Sequence, residues 1–113
     1  MSDQRLSNKK CIPCEGGADP LTRDAVRDLQ QALHDDWQLS DGGKWLTRKF
    51  DFERFTQTMG FVNAVAWIAE SEDHHPDMEV SYRFCVVKWT THAIDGLSEN
   101  DFICAAKVDR LVD

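Results

Sequence analysis

The heptapeptide Glu70-Ser-Glu-Asp-His-His-Pro76 constrains this chain more than any other stretch. The longest apolar helical pattern, residues 53–70, runs into it. The longest strand-like run, residues 79–91, leaves it and ends beside His92. Pro76 disfavours helical backbone at His75, so the helix must close there and the chain must depart in an extended path. Adjacent residues of extended chain point to opposite sides. His74 and His75 are therefore expected to form two walls of a pocket rather than share one ligand atom. The acidic residues just upstream can fix an imidazole tautomer or raise its pKa. Taken alone, His-His-Pro reads first as a polar loop with solvated histidines.

The flanking segments supply the rest of a small domain. Leu21, Ala25, Val26, Leu29, Ala32 and Leu33 fall on one helical stripe over residues 21–34, with Thr22 placed to cap it. Residues 37–40 and 44–52 read as a hairpin around Asp41-Gly42-Gly43, whose glycines permit positive φ. Leu46, Phe50 and Phe52 share a strand face with Arg48, which is read as an edge-strand arginine in solvent, with a binding surface as the alternative. In residues 53–70 the stripe is Phe55, Met59, Val62, Ala66 and Ala69, widened by Val65 and Ile68, with Trp67 at its rim. Residues 79–91 alternate through Val80, Tyr82, Phe84 and Val86, and by themselves suggest one long strand. Ser98 and Asp101 form a near capping box, which starts a last helix running towards Leu111.

A chain of 113 residues suits one domain. Its net charge of −7 argues against nucleic-acid and anionic-membrane partners. No apolar run approaches the ~18 residues of a membrane span, and the polar start lacks the apolar centre of a signal peptide. A cytoplasmic protein is expected. Residues 1–19 read as a flexible N-terminal tail that adds nothing to the core, and residues 20–113 as the functional domain. Cys11-Ile-Pro-Cys14 in the tail is read as a pair of reduced cysteines, with a zinc shared between subunits as the alternative. Cys85 and Cys104 fall in apolar patterns and read as core residues.

Three chemistries are open to Glu70, His74, His75 and His92. Zinc ligation suits the residue types, but adjacent histidines before proline diverge. Nucleophilic catalysis by serine or cysteine has less support. General acid–base catalysis fits best, because imidazole both gives and takes a proton near neutral pH.

The wider spacing is specific. Glu70, Asp73-His74-His75-Pro76, Tyr82, Thr91-His92, Gly96-Leu97-Ser98 and Asp101 form an ordered series. It resembles the pattern of the pterin-4a-carbinolamine dehydratase family, more loosely from about Leu21 to Leu111. The resemblance implies a tight turn near Arg83 that splits residues 79–91 into two strands. The expected fold is then α+β, in the order helix, two strands, helix, two strands, helix. A four-stranded antiparallel sheet would carry the helices on one face. The implied activity is 4a-hydroxytetrahydrobiopterin dehydratase, a hydro-lyase that forms quinonoid dihydropterin and water in tetrahydrobiopterin recycling. No cofactor or metal is implied. By resemblance His74 and His92 supply acid and base, and Glu70 orients an imidazole. His74, His75, Pro76, Thr91, His92 and Asp101 would hold the pterin. A homodimer or homotetramer serving an aromatic amino acid hydroxylase pathway is implied too. The alternative is a binding module that stabilises a partner's dimer, of the transcriptional co-activator type.

Overall fold

The computed structural model describes residues 5–13 and 19–112. Helix α1 spans Arg23–Gln30, with Thr22 Oγ1 accepting the Ala25 N–H at 3.2 Å. Beyond Gln30 the chain tightens into i→i+3 turns, so the helix is shorter than its apolar stripe. Strands β1 (Gln38–Leu39) and β2 (Leu46–Asp51) flank a 3-10 turn in which Gly42 and Gly43 take φ of 83° and 69°. Only residues free of a Cβ adopt that conformation at little cost. Helix α2 covers Phe55–Glu72, strands β3 and β4 cover Asp77–Val80 and Phe84–Trp89, and helix α3 covers Glu99–Asp109. Ser81 to Arg83 make the turn between β3 and β4, with the Ser81 N–H donating to the Phe84 carbonyl at 2.9 Å. The sheet order is β1-β2-β4-β3, antiparallel throughout, and the fold is α+β as expected.

The register of β2 and β4 decides what is buried. Leu46 pairs with Trp89, Arg48 with Val87 and Phe50 with Cys85, and these six side chains make the core face of the sheet. The long-strand reading grouped Val80, Tyr82, Phe84 and Val86. The turn at 81–83 interrupts that alternation, and the buried set is Cys85, Val87 and Trp89 instead. Helix α2 is likewise rotated from its expected stripe. It buries Thr58, Phe61, Val65 and Ala69, and leaves Phe55 and Trp67 exposed. Apolar residues occur on more than one face of α2, so periodicity alone could not choose the buried one.

Arg48 departs from the solvent-exposed reading. Because β1 covers one side of β2 and β4 the other, β2 is no edge. Arg48 is 8% exposed and its Nη1 donates to Asp109 Oδ1 at 2.6 Å. The same oxygen accepts the Trp37 Nε1–H at 2.8 Å, and Asp109 Oδ2 accepts the His34 N–H at 3.2 Å. The far end of α3 is thus pinned to the sheet and to the turn after α1.

Residues 5–13 also differ from the tail that the sequence suggested. Leu6, in a 3-10 turn at Leu6–Asn8, is 6% exposed and belongs to the core cluster. Lys107 Nζ donates to the Ser7 carbonyl at 2.9 Å, and Lys9 pairs with Glu99 at 2.7 Å. Leu6 stands isolated among polar neighbours and carries no periodicity, which is why the packing was not legible. Cys14 lies outside the described residues.

Two measurements check this packing. Asp109→Ala strands Arg48 without its counter-charge and should cost about 3–5 kcal/mol in urea unfolding. Leu6→Ala should cost about 2 kcal/mol. An unchanged midpoint for Leu6→Ala would return the segment to the status of a tail.

Candidate active site

Helix α2 ends in a tight reversal. Asp73 takes φ 52° and ψ 43°, its N–H donates to the Ala69 and Glu70 carbonyls, and the His74 N–H donates to the Ala69 carbonyl at 3.1 Å. A left-handed residue followed by this bond pattern is a Schellman-type stop. It comes before Pro76 has any effect, and it turns His74 back towards α3. Pro76 then leads directly into β3.

His74 is the most constrained of the three histidines. Its ring stacks on Trp89 at 5.6 Å with 6° between planes, and its side chain is 12% exposed. Nε2 lies 2.6 Å from Asp101 Oδ1. An ionised carboxylate can only accept, so in that state Nε2 carries the proton. Asp101 is fully buried. Its Oδ2 accepts the Thr91 hydroxyl at 2.8 Å and the Ser98 N–H at 2.9 Å, the latter as part of the capping box of α3. With the Thr91 proton committed to Asp101, the 2.8 Å contact between the Thr91 and Ser98 hydroxyls is donated by Ser98.

His92 reaches the site by a different route. Thr91 bridges to Gly96, and a 3-10 turn at His92–Ile94 between them lifts His92 to the surface beside Trp45, ring centroids 5.6 Å apart. Gly96 is required by close approach, since a Cβ there would sit 2.8 Å from Pro20 Cβ.

A cavity of about 470 Å³ opens between the end of α2, the end of β4 and the start of α3. Its lining includes His74, His75, Thr91 and His92, the predicted residues that the fold brings together. Asp101 stands behind His74 rather than in the wall. Pro76 does not line the cavity, nor does Glu70. Glu70 is 84% exposed, and its Oε1 lies 3.7 Å from His75 Nε2.

Sequence reasoning missed several contributions to the wall. Cys11, Ile12 and Pro13 close one side of the cavity, and Asn100 holds them there. Its Oδ1 accepts the Ile12 N–H at 3.1 Å and its Nδ2 donates to the Ile12 carbonyl at 2.6 Å. Glu72 is another. Its Oε1 accepts the Cys11 N–H at 2.8 Å, and Lys10 and Lys107 lie 3.6 and 3.7 Å from Oε2. Burial raises the Glu72 pKa, but the Cys11 hydrogen bond and the two lysines outweigh it and hold the carboxyl below its ordinary value. Its place in the acidic run before His74 was the one available signal. Among the described residues, no three His, Cys, Asp or Glu side chains converge as a metal site, and no helix is long and apolar enough to cross a membrane.

Residues 19–111 match the family model described as Pterin 4 alpha carbinolamine dehydratase. A relative in Nitrosomonas eutropha is 56% identical over 95% of this chain and 93% of its own, and one in Legionella pneumophila (strain Corby) is 47% identical over 95% of each. Both carry the name "Putative pterin-4-alpha-carbinolamine dehydratase". A crystal structure of a transcriptional coactivator/pterin dehydratase from Brucella melitensis superposes with a TM-score of 0.79. It is 34% identical and covers 84% of this chain and 100% of its own. The chain belongs to the pterin-4a-carbinolamine dehydratase family.

Proposed function

We propose that this protein dehydrates a 4a-hydroxytetrahydropterin to the quinonoid dihydropterin by general acid–base catalysis. The observation that carries the reading is His74, held by Asp101 on one nitrogen and by Trp89 on its face, in a cavity shared with His75 and His92. The cavity volume lies in the range of small-molecule sites.

The reaction needs two proton movements. The lone pair of the pterin N5 expels the 4a-hydroxyl, which leaves as water once an acid protonates it. The N5 proton is then taken by a base. The Asp101 bond engages Nε2 of His74, so Nδ1 is the nitrogen that exchanges a proton with the pterin. A buried carboxylate fixes this tautomer and stabilises the imidazolium that forms when His74 acts as base. His92, exposed beside Trp45, serves as the partner acid. His75, which lines the same cavity, contacts the pterin ring. Thr91 acts through Asp101. Glu70 acts on His75, not on His74 or His92, because only His75 is near it. The exposed Phe55, Trp67 and Tyr82 support a homo-oligomer.

Turnover of the carbinolamine, followed by absorbance and corrected for uncatalysed dehydration, tests this directly. His74→Ala and His92→Ala should each lower kcat by about 10²–10⁴-fold. His75→Ala should mainly raise KM. Circular dichroism must show an intact fold for each variant. If all three keep wild-type constants, the histidines are not the site. A binding module, the role suggested by the coactivator description of the Brucella protein, then takes first place.

A further inference from the structure

Cys11 and Cys104 are 93 positions apart in the chain, yet their sulfurs lie 3.5 Å apart. Cys104 is fully buried in α3. Cys11 is half-buried and lines the cavity, so one thiol is open to a small solute and the other is shielded. The segment that carries Cys11 is already seated by the Glu72 and Asn100 bonds, so the two sulfurs do not meet by chance excursion. Neither thiol has a part in the proton chemistry proposed above.

We propose that Cys11 and Cys104 are a redox-modification site, at which a peroxide converts the thiol pair to a disulfide that locks residues 5–13 onto α3. The first step is attack of the Cys11 thiolate on hydrogen peroxide. The O–O bond breaks, one oxygen stays on sulfur as the sulfenic acid, and the other leaves as hydroxide. The Cys104 sulfur then attacks the sulfenic sulfur, the S–O bond breaks, and the Cys104 proton leaves with that oxygen as water. Peroxide takes the two electrons that the thiols lose.

The order of the steps follows from the surroundings. The hydrogen bond to Cys11 is the largest effect on Cys104. With burial and the charges of Cys11, Glu72 and Asp101, it keeps the Cys104 thiol protonated, well above the ordinary range. Cys11 faces the cavity and Cys104 does not, so peroxide meets Cys11 first, and Cys104 is the resolving thiol. Bond formation requires the sulfurs to close from 3.5 Å to about 2.05 Å. The Cys11 side makes that move, since Cys104 is fixed in the middle of α3.

The full-length reduced protein, treated with a small excess of hydrogen peroxide and then alkylated, provides the test. Intact mass read before alkylation should fall by two hydrogens, and peptide mapping after it should join Cys11 to Cys104. The link should persist in Cys14→Ser and be absent in Cys11→Ser, neither of which alters buried Cys104. The oxidised protein should melt roughly 10 °C higher, and dithiothreitol should reverse the shift. A peptide joining Cys11 to Cys14, or Cys11 carried on to the sulfinic acid without a link, would overturn the proposal. It does not depend on the dehydratase reading, because mass and melting do not use the pterin.

Discussion

A buried carboxylate, Asp101, holds the site and the fold to one geometry. Charge without water is costly unless every lone pair is answered. Here the answers come from three separate junctions: His74 after α2, Thr91 after β4 and Ser98 before α3. Each donor therefore fixes the position of one element relative to the other two. The imidazole is placed by the same interaction that starts α3, so its orientation is not left to a loop. Removing a donor loses more than one bond, because the carboxylate then stays buried and only partly satisfied.

The other end of α3 uses the same device. Asp109 is buried against Arg48, Trp37 and the backbone of His34. An acidic side chain suits the first turn of a helix, where Asp101 lies, and is disfavoured in the last, where Asp109 lies. The guanidinium of Arg48 offsets that penalty. Between the two carboxylates, α3 packs Phe102, Ile103, Cys104, Ala105 and Val108 into the core. The cavity opens between the end of α2, the end of β4 and the start of α3, and Cys11, Ile12 and Pro13 close one side of it.

Much of this was legible in the residues. The Gly42-Gly43 turn, the Thr22 cap and the Ser98–Asp101 box are local signals, and each appears where its chemistry predicts. The turn at Arg83 was not local, since no glycine or proline marks it, and only the family resemblance suggested it. Other features depended on tertiary partners. Nothing near Arg48 in sequence announces Asp109, and nothing near Leu6 announces α3. The several apolar faces of α2 hid which one is buried. For the site, His74, His75 and His92 do gather at one cavity. Glu70 was expected to orient an imidazole, and the imidazole within reach of it is His75, 3.7 Å away, while the carboxylate on His74 comes from Asp101. That carboxylate was read both as a helix cap and as a pterin-holding residue. It caps α3 and holds His74 from behind the cavity wall.

The most direct measurement is the ring-nitrogen NMR spectrum of His74 at alkaline pH, where the free imidazole is neutral. If Asp101 fixes the tautomer, Nε2 will show the shift of a protonated nitrogen and Nδ1 that of an unprotonated one. Asp101→Asn, which can present an amide oxygen or an amide nitrogen to the ring, should lose that bias while α3 persists by circular dichroism. A His74 ring protonated on Nδ1, or a tautomer unchanged by the substitution, would contradict the account.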